Sequence, residues 1–167
     1  MNDRLKEESF EGGCTCRFVR YRMDTPPIYI HCCHCTWCQR ETGASFALNA
    51  MIESSRVTLL QGDLEIVDTP SLSGAGQRIA RCPRCKVALW SNYSGSGDLI
   101  RFVRVGTLEE PARFPPDVHI FTESKQPWVQ LSDSVPAFKQ YYSRKEQWPK
   151  EVSERLAAAK VPKSQLE

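Results

Sequence analysis

The sequence predicts a mainly β, single-domain protein of short antiparallel sheets, closed by one C-terminal helix. Three observations carry this. Strand-like runs of four to eight residues recur along the chain, divided by Gly, Pro and Ser clusters. Eight cysteines fall into three tight clusters, which supply the cross-links that short strands need. Helical periodicity is confined to the end of the chain. The 167 residues suffice for one well-buried core. Hydrophobic residues at 41% and charged residues at 25% exclude wholesale disorder.

In chain order, residues 1–8 read as a flexible leader. Cys16–Met23 alternates and ends at the turn signal Asp24-Thr25-Pro26-Pro27. Ile28–Cys35 is apolar and thiol-rich without a helical period, hence a strand. Ser45–Met51, Arg56–Gln61, Leu64–Asp68, Gln77–Arg81, Ala88–Tyr93 and Asp98–Arg104 follow as further strands, then His119–Glu123 and Trp128–Leu131. Pro136–Tyr142 reads as a short helical turn. Pro149–Lys160 is the clearer helix, with Pro149 at a tolerated first-turn position and Val152, Leu156 and Ala159 on one face. The helix is also a candidate surface for packing on a neighbouring copy. The expected plan is a leader (1–8), one domain (9–142), and a helix with its tail (143–167).

Charge and targeting signals narrow the function classes. Twenty-two Lys and Arg against 20 Asp and Glu leave a net charge of +2, which gives no electrostatic basis for nucleic-acid or acidic-membrane partners. The opening MNDRLKEESFEGG places charges where a signal peptide needs an apolar stretch. No apolar run approaches the roughly 20 residues of a membrane helix. The expectation is a cytoplasmic protein, and in a reducing compartment eight thiols point to metal or redox chemistry rather than lasting disulfides.

Spacing decides which thiols cooperate. A C-x-C pair on a strand puts both sulfurs on one side, so Cys14 and Cys16 can share a metal. Cys82-Pro83-Arg84-Cys85 is a C-x-x-C knuckle. Together these four complete the tetrahedral set of a closed structural zinc, a staple between the first strand and one beyond mid-chain. The middle cluster differs. Cys33 and Cys35 share one strand face and Cys38 reaches back from the next turn, giving three ligands and one exchangeable position, the pattern of a catalytic zinc. A closed site with His31 as fourth ligand, or a metal-free thiol centre, are the alternatives. Cys32 faces away from Cys33, and His34 points away from the metal, either supporting a ligand from behind or packing.

Taken together, Gly12-Gly13-Cys14-Thr15-Cys16, Cys33-His34-Cys35-Thr36-Trp37-Cys38-Gln39-Arg40, Thr42-Gly43-Ala44 and Cys82-Pro83-Arg84-Cys85 resemble the glutathione-dependent formaldehyde-activating enzyme (GFA) family, which includes centromere protein V. Val105-Gly106-Thr107-Leu108, His119-Ile120-Phe121, Ser124-Lys125 and Pro127-Trp128 agree with it. The resemblance implies a zinc-stapled assembly of antiparallel sheets. It also implies two zinc ions, one structural at Cys14, Cys16, Cys82 and Cys85, the other catalytic at Cys33, Cys35 and Cys38. The activity it implies is carbon–sulfur lyase-type chemistry joining formaldehyde to glutathione as S-(hydroxymethyl)glutathione. The chain departs from the family pattern at Arg17 and Lys86, where glycine is usual and serves turn geometry.

A three-thiolate zinc suits activation of a substrate thiol, because zinc deprotonates a coordinated thiol at neutral pH. The thiol sulfur would then attack a nearby aldehyde carbonyl. Arg40 is a candidate to receive a substrate carboxylate through its planar fork, set against an ordinary surface role. Trp37 is a candidate pocket wall, and Ser124 and Lys125 are weaker candidates. Trp90 and Trp128 read as core residues, and His119 as a structural histidine, with proton transfer as its alternative role. A zinc enzyme acting on another electrophile, or a purely structural zinc module, are the competing readings.

Overall fold

The computed structural model describes residues 8–159. In chain order the elements are β1 (Phe10–Gly13), β2 (Arg20–Met23), β3 (Tyr29–Cys33), α1 (Thr36–Thr42), β4 (Ala47–Glu53), β5 (Val57–Gln61), β6 (Glu65–Thr69), β7 (Gln77–Arg81), β8 (Ala88–Tyr93), β9 (Ile100–Arg104), β10 (Val118–Ile120), α2 (Arg144–Gln147) and α3 (Lys150–Ala159). Seven strands form the main sheet in the order β10-β3-β4-β9-β8-β7-β6, and β1-β2-β5 form a small one. The mainly β architecture of the sequence reading is therefore observed. All named pairs are antiparallel except the edge pair β10–β3, which is parallel.

The main sheet separates two cores because alternate residues of a strand face opposite ways. Ile30, Ala50, Ile52, Trp90 and Val103 pack toward the small sheet, against Phe10, Val19, Tyr21 and Met23. Tyr29, Met51, Ile100, Val118 and Ile120 face the other way, against Tyr142, Trp148 and Leu156. The expected face of the C-terminal helix is observed: Leu156 is buried in this second core, with Val152 and Ala159 packed on its edge. Arg155 on α3 donates from Nε and Nη2 to the buried Glu53 carboxylate at 2.7 and 2.6 Å, and caps the Pro26 carbonyl at 2.7 Å.

Several expected elements differ. The strand predicted over Cys16–Met23 begins only at Arg20, because residues 14–19 form a turn. The strand predicted to run to Cys35 stops at Cys33, where α1 intervenes, an element the sequence reading lacked. Its legible signal is Gly43, the left-handed C-cap with φ of 66°. Its N-cap is Cys35 rather than Ser, Thr, Asp or Asn, so no capping signal marked the start. Pro136–Tyr142 is not helical. Ala137 bridges to His119, and the His119 N–H donates to the Pro136 carbonyl at 2.8 Å, so tertiary pairing wins over local preference. Residues 128–131 form no strand, and Trp128 is 70% exposed rather than in the core, whereas Trp90 is buried as expected. Residues 1–7 of the leader and 160–167 of the tail lie outside the described residues.

Replacing Arg155 by Ala strips the buried Glu53 of its bidentate partner. The expected loss is about 1.5–3 kcal/mol of stability, the range for a hydrogen bond to a charged group, read as a lower urea midpoint with an unchanged slope.

Candidate metal centres

The first sulfur group is built from two matching turns. After β1 the Cys14 N–H donates to the Val19 carbonyl at 3.1 Å and the Arg17 N–H to the Cys14 carbonyl at 3.0 Å. After β7 the Cys82 N–H donates to the Val87 carbonyl at 3.0 Å and the Lys86 N–H to the Cys82 carbonyl at 3.0 Å. Cys14 and Cys16 therefore lie on a turn like the Cys82–Cys85 knuckle, not on a strand as the spacing predicted. Four sulfurs converge: Sγ of Cys14 and Cys16 are 3.5 Å apart, those of Cys16 and Cys82 are 3.7 Å apart, and all four lie within 4.8 Å of one another. The Val19 N–H donates to Cys14 Sγ at 3.3 Å. Backbone N–H groups of Cys16 and Val87 hold the Cys85 thiol down to about 6.

Both turns close through a left-handed residue, Arg17 at φ of 60° and Lys86 at φ of 61°. These are the two positions where the sequence departs from the glycine of the family pattern, and the turn geometry accounts for that preference. The preceding glycine is demanded by proximity instead. A Cβ at Gly12 would lie 2.6 Å from the Thr107 carbonyl oxygen and from the Tyr21 ring.

The second group gathers where β3 meets α1. Cys33 ends the strand, Cys35 caps the helix, and Cys38 lies on its first turn, with the three sulfurs within 4.8 Å of one another. The expected convergence is observed, although Cys35 sits at a helix cap rather than on the strand. The Cys38 N–H donates to Cys35 Sγ at 3.3 Å. Hydrogen bonds from Cys33 and Cys38 pull the Cys35 thiol down to about 3, while the Cys33 thiol is pushed up by Cys35 and Cys38. At Cys38 the contact with Cys33 acts downward, but Cys35 and burial prevail and push it up to about 12. The three sulfurs oppose one another's ionisation, and a divalent cation is what allows all three to ionise.

His31 is not a fourth ligand. Its Nε2 lies 2.7 Å from the Tyr142 hydroxyl, its ring stacks on Tyr142, and it stands outside the group of converging sulfurs. Among the described residues no fourth protein ligand joins Cys33, Cys35 and Cys38.

The sheet beneath this group carries a network of ion pairs. Glu41 of α1 takes Arg104 Nη2 at 2.6 Å on one carboxylate oxygen and Arg81 on the other. Arg104 also donates to Asn49 Oδ1 at 2.5 Å. Gln39 donates to the carbonyls of His34 and Ser124 at 2.7 and 2.9 Å, which ties α1 to the segment following β10. The helix that carries Cys38 is therefore held at both its sides.

A family model described as glutathione-dependent formaldehyde-activating enzyme matches residues 9–124. The chain belongs to that family. A Halomonas elongata protein with the provisional name glutathione-dependent formaldehyde-activating enzyme is 26% identical over 126 residues, covering 72% of this chain and 80% of its own length. A crystal structure of a Rhodobacter sphaeroides protein has a TM-score of 0.44 at 17% identity, covering 77% of this chain and 99% of its own.

The other candidates in this GFA-family chain are placed as follows. Trp37 is 42% exposed and lines an open groove of about 710 Å³ together with Arg78, Asn92, Tyr93 and the 68–77 loop. Arg40 is exposed on the last turn of α1 and does not line that groove. The sequence reading missed Tyr93, whose phenol is pushed up by burial and by the neighbouring Cys38. Lys125 is spent on backbone, donating to the Val129 carbonyl at 2.5 Å, and Ser124 donates to the His34 carbonyl at 3.0 Å. Cys32, His34 and His119 meet on the opposite face of the sheet from the three sulfurs, where His34 Nε2 is 3.0 Å from His119 Nδ1.

Arg17→Gly is expected to raise stability by roughly 0.5–1 kcal/mol, the relief of a left-handed residue less the extra unfolded-chain entropy of glycine. Thermal unfolding of the zinc-replete protein checks it.

Proposed function

We propose that this protein is a zinc enzyme that adds glutathione, or a similar small thiol, to formaldehyde or another small aldehyde. The product class is S-(hydroxymethyl)glutathione, and the chemistry is of the carbon–sulfur lyase type. In the forward direction a sulfur–carbon bond forms, the carbonyl π pair moves to oxygen, and the proton lost by the thiol ends on that oxygen.

The contrast between the two sulfur groups carries this reading. Cys14, Cys16, Cys82 and Cys85 form a set of four, sufficient for a closed structural zinc, whereas Cys33, Cys35 and Cys38 form a set of three. Three converging sulfurs fit zinc, and a divalent ion would balance the charge of their thiolates. Zinc bound there lowers the pKa of a thiol that reaches it and so supplies thiolate at neutral pH.

The chain's own residues supply position and shape. The Glu41 ion pairs and the Gln39 amide fix α1, which holds Cys35 and Cys38 against Cys33. The groove that Trp37 joins to this helix has Trp37 and Tyr93 as walls, and its cation toward a substrate carboxylate is Arg78, which pairs with Asp98. Holding thiol and aldehyde together there provides much of the acceleration. Eight unpaired cysteines support a reducing, cytoplasmic setting. No helix among the described residues is long and apolar enough to cross a membrane.

Cys35→Ser is the direct test. It is expected to remove the zinc of the three-sulfur group, to retain that of the four-sulfur group, and to cut thiol–aldehyde addition by at least about 100-fold, beyond what outer-shell changes usually cost. It should also abolish stabilisation against heat by glutathione. Full turnover in a variant lacking that zinc contradicts the proposal, and a wild type that retains both zincs yet joins no thiol to any aldehyde favours a structural module.

A further inference from the structure

We infer that Cys32, His34 and His119 form a third metal site, suited to zinc, on the opposite face of β3 from the three-sulfur group. The backbone assembles it. Along β3, alternation turns Cys32 to the face opposite Cys33, and His34, just past the strand's end, brings its Nε2 to 3.5 Å from Cys32 Sγ. The parallel strand β10 then sets His119 directly opposite Cys32.

All three side chains are more than nine-tenths buried: Cys32 is 2% exposed, His34 is 0% and His119 is 8%. Their ligand atoms lie within 4.8 Å of one another. Cys32 Sγ is 3.5 Å from His34 Nε2, and that nitrogen is 3.0 Å from His119 Nδ1. A tetrahedral zinc with Zn–S of about 2.3 Å and Zn–N of about 2.0–2.1 Å places a sulfur about 3.6 Å from a nitrogen, and two nitrogens about 3.3 Å apart. The observed spacings are close to these values.

Hydrogen bonding alone serves this cluster poorly. His34 Nδ1 is buried without a partner, so the polar needs of the whole ring fall on Nε2. A ring nitrogen offers one proton or one lone pair, yet Nε2 has two neighbours at contact distance. A cation in place of the proton satisfies the sulfur and both nitrogens together. One thiolate and two imidazoles select a borderline ion such as zinc over magnesium or calcium, which take oxygen ligands.

Such an ion would tie the three-residue edge strand β10 to β3. It would thereby fix the 121–126 segment, whose Ser124 carbonyl holds Gln39 and with it α1. The inference is independent of the activity proposed above, because it uses none of the residues of the three-sulfur group.

The test is zinc content per chain of the purified, zinc-replete full-length protein, by mass spectrometry. Three zincs are expected for the wild type, and one fewer for Cys32→Ser and for His119→Gln, with circular dichroism confirming the fold. A folded Cys32→Ser or His119→Gln that holds as much zinc as the wild type overturns the inference, whatever the total, because neither change touches the other two groups. Should both variants fail to fold, long-range nitrogen–proton spectra of the wild-type imidazoles decide. Zinc is expected to convert His34 Nε2 and His119 Nδ1 into metal-bound nitrogens, whereas a proton retained between them after saturation with zinc overturns the inference.

Discussion

Sulfurs brought this close together repel once ionised, and that repulsion is the constraint under which the fold has to assemble. Two unit charges about 4 Å apart oppose each other by about 4 kcal/mol at an effective dielectric of 20. The four sulfurs of the first group lie within 4.8 Å, and so do the three of the second. The segments that deliver the first group come from different sheets: β1, four residues long, belongs to the small sheet and β7 to the main one. A divalent cation reverses the sign of the interaction, turning each sulfur group from a centre of repulsion into a cross-link. A small β-domain gains from it what a larger core would otherwise supply.

One strand organises the chemistry around that constraint. Alternation along β3 divides its donors between two faces of the sheet, and α1 and β10 complete the two sets from opposite sides. The helix is brought in by ion pairs rather than by apolar burial, since none of its residues is fully buried. Glu41 is shared by Arg81 and Arg104, which belong to β7 and β9. The position of Cys38 therefore depends on strands far from it in sequence. Tyr93 lines the groove, and burial together with the nearby Cys38 pushes its phenol up.

The cysteine grouping was legible because C-x-C and C-x-x-C spacings are short-range facts that survive any uncertainty in topology. Most strands were legible too, since alternation and Gly or Pro punctuation are local. What failed was local preference overruled by tertiary contacts. The Pro136–Tyr142 segment gave up helix to place Phe138 and Tyr142 in the second core and to pair with β10. Trp128 looked like core material by composition, yet it sits at a turn where nothing covers it. The start of α1 stayed hidden because a thiol does the work of a hydroxyl or carboxylate cap. Arg17 and Lys86 were legible as anomalies, and their positive φ values supply the reason. Tyr93 had no motif to mark it. Only the fold puts it beside the sulfurs.

X-ray absorption at the zinc edge of the purified protein tests the central claim most directly, because it reads the atoms around the ion and needs no variant. Retained zinc with a sulfur-dominated first shell at about 2.3 Å is the expected result. Zinc held in a shell of oxygen and nitrogen alone, or a folded protein whose eight cysteines all react freely as thiols under zinc-replete conditions, would contradict it.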